Sequence, residues 1–267
     1  MIVERDGVAL HVETAGAGAP VILLHGHTLD LRVWDDLVAA LVGGGWRAIR
    51  YDLRGHGRSA SPPSGYRWGD HAADLAAVLA ATGAGPAHLI GLSKGGGIAL
   101  ELALRQPGLV RSLVLVGPLV PDHPLSAELA GSFRELARRI REAGPAAALR
   151  EAWLTHPLLA SAHARPGVRE RLEAMVLTFP AGEYCAAARD GPDREWRLTD
   201  RLGEIAVPTL VVGGEHDVAD FRAMAKTLAA GFPGARLEIV ADCGHLVPLE
   251  APAELARLVL EFLAGLA

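Results

Sequence analysis

The chain has 267 residues, half of them hydrophobic, and its formal net charge is −5 at pH 7. This length can bury the core of one large domain, with or without an insertion. The weakly acidic balance gives no electrostatic basis for binding nucleic acid or an anionic membrane, and no apolar run reaches the about 18 residues that span a bilayer.

The cysteine content argues against a disulfide framework or a metal centre. The two cysteines, Cys185 and Cys243, have no metal-binding spacing. The N-terminal residues 1–6 include an early charged cluster and lack the apolar segment of a secretion signal. We therefore expect a cytoplasmic protein without metal or cofactor, and the sequence leaves its oligomeric state open.

The first part of the chain predicts a hairpin followed by alternating strands and helices. Apolar and polar residues alternate around Asp6-Gly7, and the later strands are apolar throughout, as strands covered on both faces are. Strands are predicted at 2–4, 8–13, 21–24, 46–51, 87–90 and 113–116, with helices at 34–42, about 69–82 and 98–104. This order favours a mostly parallel, doubly wound α/β sheet.

The alternation stops at about residue 118 and resumes after residue 204. The intervening segment, 118–204, contains eight prolines and helical patterns at 127–143, 146–153 and 168–177, without a buried-strand pattern. We interpret it as a helical cap inserted into a core formed by 1–117 and 205–267; a separate helical unit of structural use only is the alternative. Strands at 208–212 and 237–240 and helices at 220–230 and 253–263 complete the core.

A candidate nucleophile lies between the strand at 87–90 and the helix that follows it. The sequence there is Gly91-Leu92-Ser93-Lys94-Gly95, in which glycines stand two residues on either side of a serine. A sharp strand-to-helix turn crowds the backbone at these positions, which favours glycine, and exposes the serine hydroxyl at the edge of the sheet. The backbone N–H of Lys94 at the helix N-terminus can serve there as a donor to an oxyanion.

Two more polar residues follow later strands, so Ser93, Asp217 and His245 all come at strand ends, where doubly wound sheets bind ligands. A serine hydroxyl needs a histidine to accept its proton, and the histidine needs a carboxylate to hold its tautomer. Taken singly, Asp217 could be a solvated turn residue and His245 a hydrogen-bonded loop histidine. Their joint placement favours a Ser-Asp-His triad.

With these motifs the chain resembles proteins of the α/β-hydrolase fold over essentially its whole length. The resemblance implies Ser93 as nucleophile, His245 as general base, Asp217 as its acid, and an oxyanion hole from the N–H groups of His27 and Lys94. Some relatives carry the acid after an earlier strand, where this chain has no carboxylate until Asp122, so Asp217 is favoured. The matching segments are His25-Gly26, Tyr51-Asp52-Leu53-Arg54-Gly55-His56-Gly57-Arg58-Ser59, Gly91 to Gly96, Gly214 to Asp217, and Gly244-His245.

The implied activity is hydrolysis of a small carboxylic ester or lactone through an acyl-enzyme. Thioester hydrolysis, perhydrolysis of the cofactor-free haloperoxidase type and C–C bond hydrolysis are alternatives on the same residues, and a slow-turnover ligand receptor is an alternative of another class. Turnover above about 1 per second on an ester or lactone would favour the enzyme. The Lys94 side chain departs from the commoner family pattern; it either favours a carboxylate-bearing substrate or is solvated or ion-paired.

Overall fold

The computed structural model describes residues 1–186 and 196–266. These residues form one β-sheet with helices on both of its faces. The eight strands lie in the order β1-β2-β4-β3-β5-β6-β7-β8. The pairs β1–β2 and β2–β4 are antiparallel and all the others are parallel. The strands are β1 (Ile2–Arg5), β2 (Val8–Ala15), β3 (Pro20–Leu24), β4 (Arg47–Tyr51), β5 (Ala87–Leu92), β6 (Val110–Val116), β7 (Thr209–Gly214) and β8 (Arg236–Val240).

Alternate residues of the central strands supply two hydrophobic layers. In β3, Val21 and Leu23 belong to one core cluster, while Ile22 and Leu24 belong to the other. The helices of the core are α1 (Asp35–Gly43), α2 (Trp68–Ala81), α3 (Lys94–Arg105), α9 (Ala219–Gly231), α10 (Val247–Glu250) and α11 (Pro252–Ala264). The α1 and α11 helices pack on the first layer and α2 and α3 on the second, which confirms the predicted α/β class.

A run of helices separates β6 from β7, where the sequence predicts the inserted cap. In the described part of this segment there is no strand, and its helices are α4 (Ala127–Ala143), α5 (Pro145–Ala148), α6 (Pro157–Ala164), α7 (Pro166–Val176) and α8 (Gly182–Ala186), with a π-helical stretch at Leu149–Trp153. Residues 187–195 lie outside the described residues. The limits of a cap domain at 118 and 204 stay a prediction.

Most predicted elements are present with ends that differ by a few residues, and the differences fall mainly in the inserted segment. The predicted helix at 146–153 is divided between α5 and the π-helical stretch, and sequence reasoning did not find α6 or α8, which are short helices. The last strand, β8, lies at the edge of the sheet, and its Ile239 is half-exposed. None of the helices in the described residues is long and apolar enough to cross a membrane.

Candidate active site

Ser93 occupies a strained turn between β5 and α3, as the sequence indicates. Its backbone angles are φ 51° and ψ −113°, a conformation that non-glycine residues rarely adopt. A Cβ on Gly91 would lie 2.5 Å from the backbone of Gly95, and a Cβ on Gly95 would lie 2.2 Å from the carbonyl oxygen of Leu24. The two glycines are therefore required, because the backbone segments that hold Ser93 in this turn approach each other too closely to leave room for a Cβ.

His245 and Asp217 come together from the loops that follow β8 and β7. The Nδ1 of His245 lies 2.8 Å from Oδ2 of Asp217, and both side chains are buried. The other carboxylate oxygen of Asp217 accepts a hydrogen bond from the backbone N–H of Val218 at 2.7 Å. Since Nδ1–H donates to the carboxylate, Nε2 of His245 carries the lone pair and can accept a proton.

One cavity of about 500 Å³ joins Ser93 and His245 to the predicted oxyanion donors. Ser93, His245, His27 and Lys94 all line it. In the described part of the chain no hydrogen bond joins Ser93 Oγ to His245, although both face the same cavity. Such contacts are often long in unliganded sites and shorten when substrate binds, so this geometry is compatible with proton transfer between them.

The inserted helices form a wall of the cavity that is mostly apolar and includes the charged Arg141. Phe133, Ala137 and Arg141 follow at intervals of four residues and lie on one face of α4. This wall faces the polar loops that carry Ser93 and His245, so the cavity suits a small substrate with an apolar part and one reacting polar group. The other apolar lining residues from the inserted segment are Leu119, Trp153, Leu158 and Leu159.

The backbone N–H groups of His27 and Lys94 are available as donors beside Ser93. Neither donates a hydrogen bond within the described residues. Lys94 is the first residue of α3, whose N-terminus carries a partial positive charge. Gly26 packs against Ser93, since a Cβ on Gly26 would lie 3.5 Å from the Cβ of Ser93. His27 follows Gly26 and Lys94 follows Ser93, so each N–H group belongs to a residue next to this contact.

The Lys94 side chain lines the cavity and is ion-paired, which the sequence could not decide. Its Nζ donates to Oε2 of Glu183 on α8, and Oε1 of Glu183 lies 2.8 Å from Nδ1 of His27. The Nε2 of His27 lies 2.6 Å from the hydroxyl of Tyr184. Burial alone would raise the pKa of Glu183, but the Lys94 ammonium and His27 outweigh it and hold that pKa well below the usual range. Glu183 is therefore charged and neutralises Lys94.

A second buried carboxylate, Glu250, holds the loop that carries His245. It accepts hydrogen bonds at 3.0 Å from the backbone N–H groups of Gly244 and Leu246, which flank His245. The hydroxyl of Ser161 in α6 donates to it at 2.5 Å. Sequence reasoning missed both Glu183 and Glu250. For Glu250 the nearness to His245 in the sequence was a possible signal, whereas nothing near Glu183 in the sequence points to the site.

The segment around Asp52 does not line the cavity. Asp52 accepts hydrogen bonds from the backbone N–H groups of Leu31 and Arg58, both at 2.8 Å. Asp122, the alternative position for the acid, accepts instead from the backbone N–H of Leu198 at 3.0 Å. Of the two candidate acids, the structure brings Asp217 to His245.

A possible set of metal ligands lies beside the oxyanion donors. His27, His56 and Glu183 have ligand atoms within 4.8 Å of one another. The Lys94 ammonium already acts as the cation for Glu183, and a divalent ion there would lie beside a like charge. Burial lowers the pKa of His56 well below its usual value, with Lys94 contributing, so this imidazole stays neutral.

Comparison with known proteins agrees with this arrangement of strands and loops. The profile of the alpha/beta hydrolase fold family matches residues 19–252. The chain belongs to the α/β-hydrolase fold family. It is 32% identical to a 2-hydroxymuconate semialdehyde hydrolase of Pseudomonas sp. (strain CF600), over 97% of this chain and 91% of that protein. Such relatives support hydrolase activity for this α/β-hydrolase but not a particular substrate.

Two solved structures of α/β-hydrolases are similar throughout. One is Est816, described as an N-acyl homoserine lactone degrading enzyme; it is 30% identical with a TM-score of 0.81, covering 98% of this chain and all of that one. The other is a thermophilic esterase from Thermogutta terrifontis, 29% identical with a TM-score of 0.85, covering 100% of this chain and 98% of that one. An N-acyl homoserine lactone degrading enzyme and an esterase thus share this fold.

Proposed function

We propose that the protein is a serine hydrolase that cleaves a small carboxylic ester or lactone through an acyl-enzyme intermediate. The observation that carries the proposal is the strained turn that presents Ser93 to a cavity also lined by His245, whose Nδ1 lies 2.8 Å from Asp217. A nucleophile, a base with a free lone pair and a carboxylate that orients the base make up the set needed for acyl transfer.

In the first half-reaction Ser93 Oγ attacks the acyl carbon, and its proton moves to Nε2 of His245. The carbonyl oxygen becomes an oxyanion that accepts hydrogen bonds from the N–H groups of His27 and Lys94. When the tetrahedral intermediate collapses, the bond from the acyl carbon to the leaving oxygen breaks, and His245 returns its proton to that oxygen. Asp217 stabilises the imidazolium throughout.

In the second half-reaction water replaces the alcohol. His245 accepts a proton from the water as its oxygen attacks the acyl-enzyme, and the Ser93 Oγ leaves with that proton while the carboxylic acid is released. For a lactone, both product groups stay in one molecule as a hydroxy acid. No redox step and no cofactor are needed for this sequence of bond changes.

The cavity favours a small acyl group with an apolar part. Its volume of about 500 Å³ lies within the usual range for small-molecule sites, and its wall is formed largely by apolar side chains of the inserted helices. The similarity to an N-acyl homoserine lactone degrading enzyme and to an esterase supports these two substrate classes. C–C bond hydrolysis is a second candidate, because of the similarity to 2-hydroxymuconate semialdehyde hydrolase.

The test is a panel of p-nitrophenyl esters, lactones and acyl thioesters with Ser93→Ala and, as control, Ser64→Ala on an exposed loop. Loss of a triad nucleophile lowers turnover on the order of 10⁶-fold, whereas the control should stay at the wild-type rate. A serine-directed phosphonate should label Ser93 in the wild type. Labelling at another residue, or Ser93→Ala activity within tenfold of wild type, would exclude the proposal.

The same panel separates an enzyme from a ligand receptor. An enzyme should turn over its best ester or lactone at about 1 per second or faster, a rate within the ordinary range. A receptor would release less than one product per protein molecule and keep it bound. That second result would contradict the proposed function even if the phosphonate labels Ser93.

A further inference from the structure

The Glu183 carboxylate contacts the side chains of both residues whose backbone N–H groups form the candidate oxyanion hole. Its Oε2 accepts from the Lys94 ammonium, and its Oε1 lies 2.8 Å from Nδ1 of His27. Glu183 belongs to α8 in the inserted segment, whereas His27 follows β3 and Lys94 begins α3. One carboxylate from the inserted helices thus bridges two loops of the core.

We propose that Glu183 is a positioning residue that holds the two oxyanion donors in register when α8 is docked on the core. This inference rests on the proposed serine-hydrolase function. Each oxygen of the carboxylate contacts the side chain of one donor-bearing residue, so a single rigid group links the two segments that carry the N–H groups. Charge-assisted hydrogen bonds of this kind are short and directional, which suits such a constraint.

The His27 loop is held to the inserted helices at further points. The Tyr184 hydroxyl lies 2.6 Å from Nε2 of His27, and burial raises the pKa of Tyr184 far above its usual value, so this phenol stays protonated and can donate. The next residue, Thr28, accepts a hydrogen bond at 2.6 Å from Nε1 of Trp153. Both nitrogens of His27 are therefore occupied, and its ring orientation is determined by α8.

Misplacement of either donor should affect the transition state more than the bound substrate. An oxyanion needs donors at about 2.7–3.1 Å, and losing one donor completely costs about 10²–10³-fold in kcat. Loosening both donors without removing them should cost less, about 10- to 100-fold in kcat. The value of KM should change by less than about threefold, because the ground-state carbonyl depends little on these donors.

The first experiment compares Glu183→Gln with Glu135→Gln. Glu135 is also an ion-paired carboxylate of the inserted helices, but its side chain on α4 is 43% exposed and does not line the cavity. We expect the loss in kcat only in Glu183→Gln. A boronic acid that forms a tetrahedral adduct with Ser93 should lose affinity in proportion to kcat, whereas the carboxylate product should keep its inhibition constant. Equal losses for both inhibitors would indicate a merely structural role and overturn the proposal.

A second variant removes the risk that Glu183→Gln unfolds because the Lys94 charge is left buried. The double variant Lys94→Met/Glu183→Met removes both charges, and replacing a buried ion pair by apolar groups is often neutral for stability. We expect a melting temperature near wild type and a 10- to 100-fold lower kcat. Wild-type kcat in this folded double variant would overturn the proposal.

Phosphonate labelling separates this inference from the proposed function. If the wild type is not labelled at Ser93 and hydrolyses no ester or lactone, the serine-hydrolase function fails and the role of Glu183 fails with it. If the wild type is labelled and active, but Glu183→Gln keeps kcat within threefold, only the positioning role is wrong.

Discussion

Replacing Asp217 by asparagine should reverse the proton arrangement of His245 with almost no change in shape. The N–H of Val218 donates to one carboxylate oxygen of Asp217 at 2.7 Å, and His245 Nδ1 contacts the other at 2.8 Å. In Asp217→Asn the amide oxygen must face the Val218 donor, so the amide NH₂ faces His245. Its Nδ1 then has to accept, the proton moves to Nε2, and the imidazole can no longer take the proton of Ser93.

The expected loss follows from this tautomer change. The equivalent substitution in a serine protease triad lowers kcat about 10⁴-fold while leaving the geometry intact. At 1.36 kcal/mol for each factor of ten, this corresponds to about 5.4 kcal/mol of lost transition-state stabilisation. Folding should be unaffected, because the asparagine is isosteric and keeps the hydrogen bond from Val218.

The assay is steady-state hydrolysis of a short p-nitrophenyl ester, together with the rate of phosphonate labelling at Ser93 and a thermal melt. Asp242→Asn is the control, since Asp242 lies in the loop after β8 that carries His245 and its side chain is 95% exposed. Asp122→Asn tests the alternative acid. Activity of Asp217→Asn within tenfold of wild type, or a larger loss in Asp122→Asn, would refute the assignment of Asp217 as the acid that orients His245.

Two further predictions concern other buried groups. Glu250→Gln places an NH₂ group opposite one of the backbone N–H donors that flank His245, so one charge-assisted hydrogen bond is lost. Such a bond contributes about 1.5–3 kcal/mol, and we therefore expect Tm to fall by roughly 3–10 °C and kcat to fall at least tenfold. An unchanged Tm in a thermal scan would contradict this prediction. Burial lowers the pKa of His156 to about 4, below the value near 6.5 in the unfolded chain, so the folded state loses stability as the pH falls from about 6.5 towards 4. Over this pH range Tm should decline less in His156→Asn, which keeps a helix N-cap, than in the wild type or in His216→Asn, a control at an exposed histidine. Parallel declines of Tm in all three proteins would count against this prediction.

The sequence alone was sufficient for the fold and for the candidate nucleophile, because both depend on local patterns. Apolar strands alternating with helices require a sheet covered on two faces, and the glycines around Ser93 indicate a turn that only a Cβ-free residue can accommodate. Strand ends also indicated Asp217 and His245, since parallel strands bring their carboxyl ends to one edge of the sheet. The structure bears out the nearness of these two residues at 2.8 Å.

Tertiary structure alone decided what surrounds these residues. Lys94 meets Glu183, and Ser161 meets Glu250, in each case 89 residues apart in the chain. No local periodicity encodes such a pairing, because it depends on how the short helices of the inserted segment pack on the core. For the same reason the sequence left open whether Lys94 selects an anionic substrate. The largely buried Glu183 carboxylate neutralises that charge, since removing an ammonium from water is favourable only beside an opposite charge.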